Sequence, residues 1–513
     1  MKGFQAHTCR ISHRPCRSSL AAALTIAAAA VFSTHGAEAQ QQIQLPIGAP
    51  LTTPRIELDL SDARVLVVVG SQQPPRIDAR VETADLAPEV VLEAALEPGR
   101  VTRVRRPDVE DTPPKIIVEI TLSADQRLTV VGSRIDLDIS GAQTSAADNP
   151  LEIDPHISRP DRASSKPEDQ APDPAVDPVV AAIVTDSQVT ARNLDGLSLT
   201  ATTGIIDISN LHGPLVLDLR ESEVHIRGHR GLVTIDAFDS DTTLENAEGR
   251  VSVNLDGGSL NVNQSRSTID GKIVTADVAF DSVSGSVQLS GEESSIRITG
   301  AAKAPTQIVG HDLRVTLSDL GGSVRANLTR GTLDAELIAG RIDVQLSDEA
   351  QADLRDIGGD LAAVLTDGAR AEVGGVTGHT RIRLRDGELN LRNLKSLELD
   401  AQRGLITGSG IRALTRLEAT DSSVELFLDT VQGRPKINLR GTSDATIQLP
   451  TPCRVAAKMP EASFGDRIRV SGCHFDFDGH SKRSPRPGVD GRAPVVLTAT
   501  LDETATLRVD GRP

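Results

Sequence analysis

Between Gly322 and Gly340 the chain reads GSVRANLTRGTLDAELIAG, and apolar residues alternate with polar ones in two short runs. Val324, Ala326 and Leu328 take every second place in the first run, and Leu333, Ala335 and Leu337 do so in the second. Alternation at period two gives an extended strand one face for a core and one for water. Gly322, Gly331 and Gly340 punctuate the runs at nine-residue intervals.

The same pattern recurs along most of the chain. From Gly213 it gives Leu215, Leu217, Leu219, Val224 and Ile226, and from Gly249 it gives Val251, Val253, Leu255, Leu260 and Val262. Units begin at Pro178, Asp195, Gly213, Gly231, Gly249, Ser267, Gly285, Ala304, Gly322, Gly340, Gly359, Gly378, Lys395, Thr415 and Gly433, nearly all 17 to 19 residues apart. Their midpoints are mostly small, as at Gly204, Ser222, Ser240 and Gly331. One unit cannot bury its own aliphatic residues; stacked units can, with backbone hydrogen bonds running along the stack. The pattern therefore predicts an all-β protein, a parallel β-solenoid of about 15–16 coils of about 18 residues over 178–450. Glycine is expected at the bends because it reaches positive φ without steric cost. In the unit from Gly340 the second apolar set slides to Ala352 and Leu354, as one extra residue in a turn would cause. Taken alone, TLDAELIA suits a helix, but the aligned RVSVNL and TRIRLR do not, so the strand reading stands.

Flanking segments read as caps. Residues 54–140 carry RIELDL, RVLVVVG, RIDARVET, KIIVEITL and RLTVVGSRIDLDIS, read as a small antiparallel sheet leading into a first coil. Pro- and Asp-rich residues 141–177 read as a disordered linker. In 451–513 strands near ATIQLPTPCRVAAKMP and DRIRVSGCHFDFDG precede a basic loop and a last strand pair, expected to cap the far end. Such caps keep a stack from exposing an open strand edge.

Composition fits a thin core. Among 513 residues there is no Trp and no Tyr, and only 8 Phe, whereas large rounded cores draw on aromatics for volume. The N-terminus adds a compartment: Lys2, Arg10, Arg14 and Arg17 precede the apolar run Leu20 to Phe32, and AEA ends at Ala39. That is the form of a secretory signal over 1–39, cleaved between Ala39 and Gln40. Thirteen apolar residues fall short of the ~20 that a spanning helix needs, so a membrane contact is at most peripheral. Removing 1–39 takes away four basic residues and Glu38, which leaves 50 basic and 70 acidic residues and a net charge of −20. That balance disfavours a nucleic-acid partner, since phosphate binding needs clustered basic residues, and none is expected. Cys453 and Cys473 alone remain, and in an exported chain they are expected to form a disulfide.

One local constellation carries candidate chemistry. In HFDFDGH, the residues His474, Asp476, Asp478 and His480 would share one strand face while Phe475 and Phe477 pack behind it. His and Asp suit a divalent transition metal. Neighbours at i, i+2 lie ~6.6–7 Å apart, however, so two at most could share an ion, and a solvated capping strand is the better reading. No cofactor is expected. Motifs for calcium repeats, nucleophile elbows, zinc proteases and phosphate loops are missing. Asp218, Asp236 and Asp343 face outward but are scattered, and the lack of Trp and Tyr weighs against sugar stacking.

The GxVxV units, the lead-in KIIVEITLSADQRLTVVGSRIDLDISG and the signal resemble the bacterial adhesin-like β-strand-repeat family, exported domains of unknown function. The resemblance covers about 54–140 and 178–450, implies a β-solenoid at the envelope and carries no catalytic residues. The expectation is a non-catalytic, exported module, periplasmic or at the cell surface, that binds a protein or envelope partner or serves a structural role. The alternatives are a polysaccharide-active enzyme on the same fold and a self-associating scaffold.

Overall fold

A computed structural model of the chain describes residues 42–44, 55–70, 76–81, 93–97, 101–105, 116–123, 126–141, 180–300, 303–430, 434–458, 467–477, 495–502 and 504–512. Every regular element among them is a β-strand. The strands stack in parallel as a β-solenoid of about 16 turns, about 18 residues apart. Each turn supplies two strands, and each strand pairs with its counterpart one turn on, so two parallel sheets run along the stack. We call them the first and second walls. Val324 lies beside Ile342 on the first and Leu333 beside Ala352 on the second. Val324, Ala326 and Leu328 are 2%, 0% and 0% exposed. The segment with helical propensity, Thr332–Ile338, is a strand.

The core has a third column that period-two alternation does not reveal. Two residues before each unit start, Leu211, Ala247, Val283, Leu320, Ile338, Ile357 and Val376 all turn inward and are buried. Backbone bonds link these corners from turn to turn: the Ala339 N–H donates to the Leu320 carbonyl and that of Gly358 to Ile338, each at 2.8 Å. The column fills the side where the chain crosses back from the second wall to the first. Leu337, expected inside, is instead 54% exposed with φ of 57°, and Ile338 takes the inward place. A left-handed residue reverses which neighbour faces the core.

Glycine is not the main maker of the bends. Left-handed residues between the walls include Glu221, Asp239, Asp312, Arg330, Asp386 and Asp421, of which Asp bears that conformation best. At the unit starts Gly213, Gly231 and Gly249 do take positive φ, whereas Gly340 and Gly359 do not and answer a different need. A Cβ on Gly340 would stand 2.1 Å from the Gly322 carbonyl oxygen, and one on Gly359 would stand 2.4 Å from that of Gly340. Small midpoint residues close the corner from inside. Ser222 Oγ donates to the Arg220 carbonyl at 2.8 Å and accepts from the Gly204 N–H at 3.3 Å. Ser240 Oγ repeats this with the Phe238 carbonyl at 2.8 Å and the Ser222 N–H at 3.1 Å. The extra residue after Gly340 sits where expected: Asp348 and Glu349 are both left-handed, and Ala352 and Leu354 stay in register with Leu333 and Ala335.

At both ends the order of layers differs from the order of the chain. Arg55–Ser61 and Ala63–Val69 form one complete layer. It pairs in parallel with Arg127–Ser133 and Asp136–Gly141 on one side and with Val101–Arg105 and Ile116–Leu122 on the other. The antiparallel sheet expected over 54–140 is therefore largely part of the parallel stack. Among the described residues, antiparallel pairing is confined to Gln42–Gln44 on Arg76–Val81, Arg76–Val81 on Ile116–Leu122, and Glu93–Glu97 on Val101–Arg105.

The other end mirrors this. The last strand pair, Val495–Leu501 and Thr506–Arg512, was expected to close the stack and does not. It lies between the layer of Lys436–Arg440 and Asp444–Pro450 and that of Cys453–Lys458 and Ile468–Ser471. His474–Phe477 then pairs outside Cys453–Lys458. The physical reason is legible in hindsight: Leu497, Ala499, Leu501, Leu507 and Val509 repeat the full inward pattern of an interior coil and are all buried.

Candidate functional site

The second wall carries two shallow, adjoining concavities among the described residues. The longer one crosses five strands, Thr332–Ile338, Gln351–Ile357, Arg370–Gly374, His379–Arg392 and Ser396–Ile411. Behind it, Ala352 and Ala371 occupy the inward places that Leu333 and Leu389 hold on either side. Interiors pack to nearly constant density, so two smaller side chains there leave less volume to support the wall than leucines would. The open groove over these coils holds about 550 Å³ and displays Asp334, Asp353, Glu372, Asn390 and Thr407 on successive strands. A second hollow of about 580 Å³ at the adjoining corner shares Arg370, Glu388 and Leu405 with it.

Charge in the groove is only partly balanced. Asp334, Asp353 and Glu372 stand in direct register at strand spacing, an arrangement of like charges that weakens pairing. Arg355 Nε donates to Asp353 at 2.7 Å, a bond that raises the guanidinium pKa above its ordinary value. Arg370 lies 3.6 Å from Glu388. At the corner, Arg403 grips Asp386 through Nε and a second guanidinium nitrogen, each 2.5 Å from a carboxylate oxygen. That hydrogen bonding holds the Asp386 carboxyl below the usual carboxylate range. Leu405, half exposed on the rim, adds an apolar contact. Such a surface can recognise an extended polar partner by shape and charge.

The residues singled out in the sequence lie elsewhere. Cys453 and Cys473 are at disulfide distance, with Cα atoms 4.8 Å apart, and tie the start of Cys453–Lys458 to the turn before His474–Phe477. His474 is exposed and Phe475 is half-buried against the core, as a one-sided strand requires. Asp476 lies on the same strand, whereas Asp478 and His480 lie outside the described residues, as do Ala39, Gln40, the signal segment and the linker. Among the described residues no group of three or more His, Cys, Asp or Glu could hold a metal ion. Nor is any helix there long and apolar enough to cross a membrane. Sequence reasoning passed over the groove; its one signal was the pair Ala352 and Ala371 at equivalent places in adjacent units.

No family model, no curated protein and no solved structure matches the chain.

Proposed function

We propose that this protein is an exported, non-catalytic β-solenoid that serves as a binding or structural module of the cell envelope, in the manner of the adhesin-like repeat family it resembles. Its contact face is the second-wall groove over residues 332–407. The observation that supports this reading is the groove itself, a concavity built from five successive coils with Leu405 exposed at its rim. Convergent side chains in an open hollow are the usual form of a recognition surface.

Crosslinking the protein in envelope fractions, followed by pull-down, tests the reading. Leu405→Asp combined with Glu372→Arg is expected to abolish capture of the partner. Val364→Asp, on the exposed face of the first wall, is expected to leave capture intact. Capture that survives the groove substitutions, or that is lost equally with Val364→Asp, contradicts the assignment.

A further inference from the structure

His229 is where the third core column departs from its mainly aliphatic chemistry. Leu211 precedes it, Ala247 follows, and its own side chain is 0% exposed. Neither ring nitrogen makes a hydrogen bond of ordinary geometry; the backbone at Leu232 is the one polar group that favours a proton on the ring, and burial outweighs it. A neutral ring so placed leaves at least one nitrogen unmet, and a protonated ring would add a charge that the apolar corner does not balance. The backbone on either side depends on that corner: the Arg230 N–H donates to the Leu211 carbonyl at 2.9 Å, and the Glu248 N–H donates to the His229 carbonyl at 2.8 Å.

Nearby charged groups are engaged with one another. Arg230 lies 3.5 Å from Glu248, which also meets Arg266 at 3.4 Å. On the second wall, His225 meets Glu223 at 3.1 Å and Arg227 meets Glu245 at 3.7 Å. The nearby His212 adds a smaller electrostatic push against a charge on His229.

We propose that His229 is an acid-sensitive latch, whose protonation opens the corner between Leu211 and Ala247 while the coils beyond keep their pairing. Each coil contacts only its neighbours, so a single corner can open without the rest of the stack. Burial lowers the ring's pKa from 6.5 to about 4. An opened corner therefore takes up its proton as pH falls through about 6.5, whereas the closed corner does so only near 4. Closure is fully favoured above that window, weakens within it and is constant below.

Amide hydrogen exchange on the full chain at pH 7.5 and 4.5 tests this, with rates corrected for the intrinsic effect of pH. The Arg230 and Glu248 amides are expected to exchange roughly 50- to 100-fold faster at the lower pH. The equivalent Arg412 amide, which donates to the Leu394 carbonyl at 2.9 Å, is expected to keep its protection. His229→Leu, matching Leu211 in the column, is expected to remove the difference. Equal protection of the two corners at pH 4.5, or the same acceleration in His229→Leu, overturns the proposal. Titration of the wild-type ring by NMR gives a reading that does not depend on the variant: a midpoint near 4 supports the latch, and one near 6.5 overturns it.

Discussion

Gly340 and Gly374 are the same residue under opposite constraints. A Cβ at Gly340 would fall 2.1 Å from the oxygen and 2.4 Å from the carbonyl carbon of Gly322, whereas at Gly374 the nearest atom is 3.8 Å away. Backbone cannot yield as a flexible side chain can, so Gly340→Ala is expected to lower stability by about 3 kcal/mol, seen as a fall in the urea midpoint. Gly374→Ala is expected to leave the midpoint unchanged or raise it slightly, because glycine within a strand costs about 0.5–1 kcal/mol relative to alanine. Equal effects of the two changes would contradict the close-approach argument. Elsewhere a side chain takes the space that glycine vacates: Asn393 Oδ1 would stand 2.5 Å from a Cβ on Gly410, and Asn210 Oδ1 2.9 Å from one on Gly228. The sequence shows that these positions are small. It does not distinguish a residue chosen for its φ from one chosen for its neighbour, because that depends on the coil below.

At the scale of strands, much was legible. Strict alternation announced both walls, and the 18-residue lag announced their stacking. The third column was hidden because it holds one residue per turn and has no alternation of its own; only the recurrence of Leu320, Ile338, Ile357 and Val376 at equivalent places marks it. The order of layers at the ends was also hidden, since a coil's pattern states that it stacks but not upon which neighbour. The disulfide gains meaning from that order. Cys453 and Cys473 are separated by 20 residues and fasten the coil that covers the last segment of chain. Replacing both by serine removes about 3 kcal/mol of loop-closure stabilisation. Amide exchange is expected to quicken in Val495–Leu501 and Thr506–Arg512, with Lys436–Arg440 little affected. Acceleration spread evenly along the stack would refute a local clasp.

At the scale of the whole molecule, the two ends share one device. Arg55–Val69 at one end and Val495–Arg512 at the other are held between layers instead of lying outermost. Terminal repeats of a stack are its weakest part, and an exposed edge invites pairing with other chains. Interleaving means that neither segment can peel away without disturbing a layer outside it. The groove, by contrast, lies well inside the run of in-order coils, where each strand is fixed by neighbours on both sides. A surface built on such strands is held in place by the core beneath it.

The central claim is that successive coils stack in parallel and in register, so that distance along the molecule grows with the count of turns. Asp218, Asp236, Asn254, Lys272, Ser290, Val309 and Asn327 stand one above another on the first wall. Spin labels on Asp218→Cys paired with Ser290→Cys or Asn327→Cys, in a background with Cys453 and Cys473 intact, measure this directly by pulsed electron–electron resonance. At ~4.8 Å per layer the backbone separations are expected to be roughly 19 Å and 29 Å. Separations that fail to lengthen with each added turn, or that match an antiparallel or helical path, would contradict the stacked solenoid.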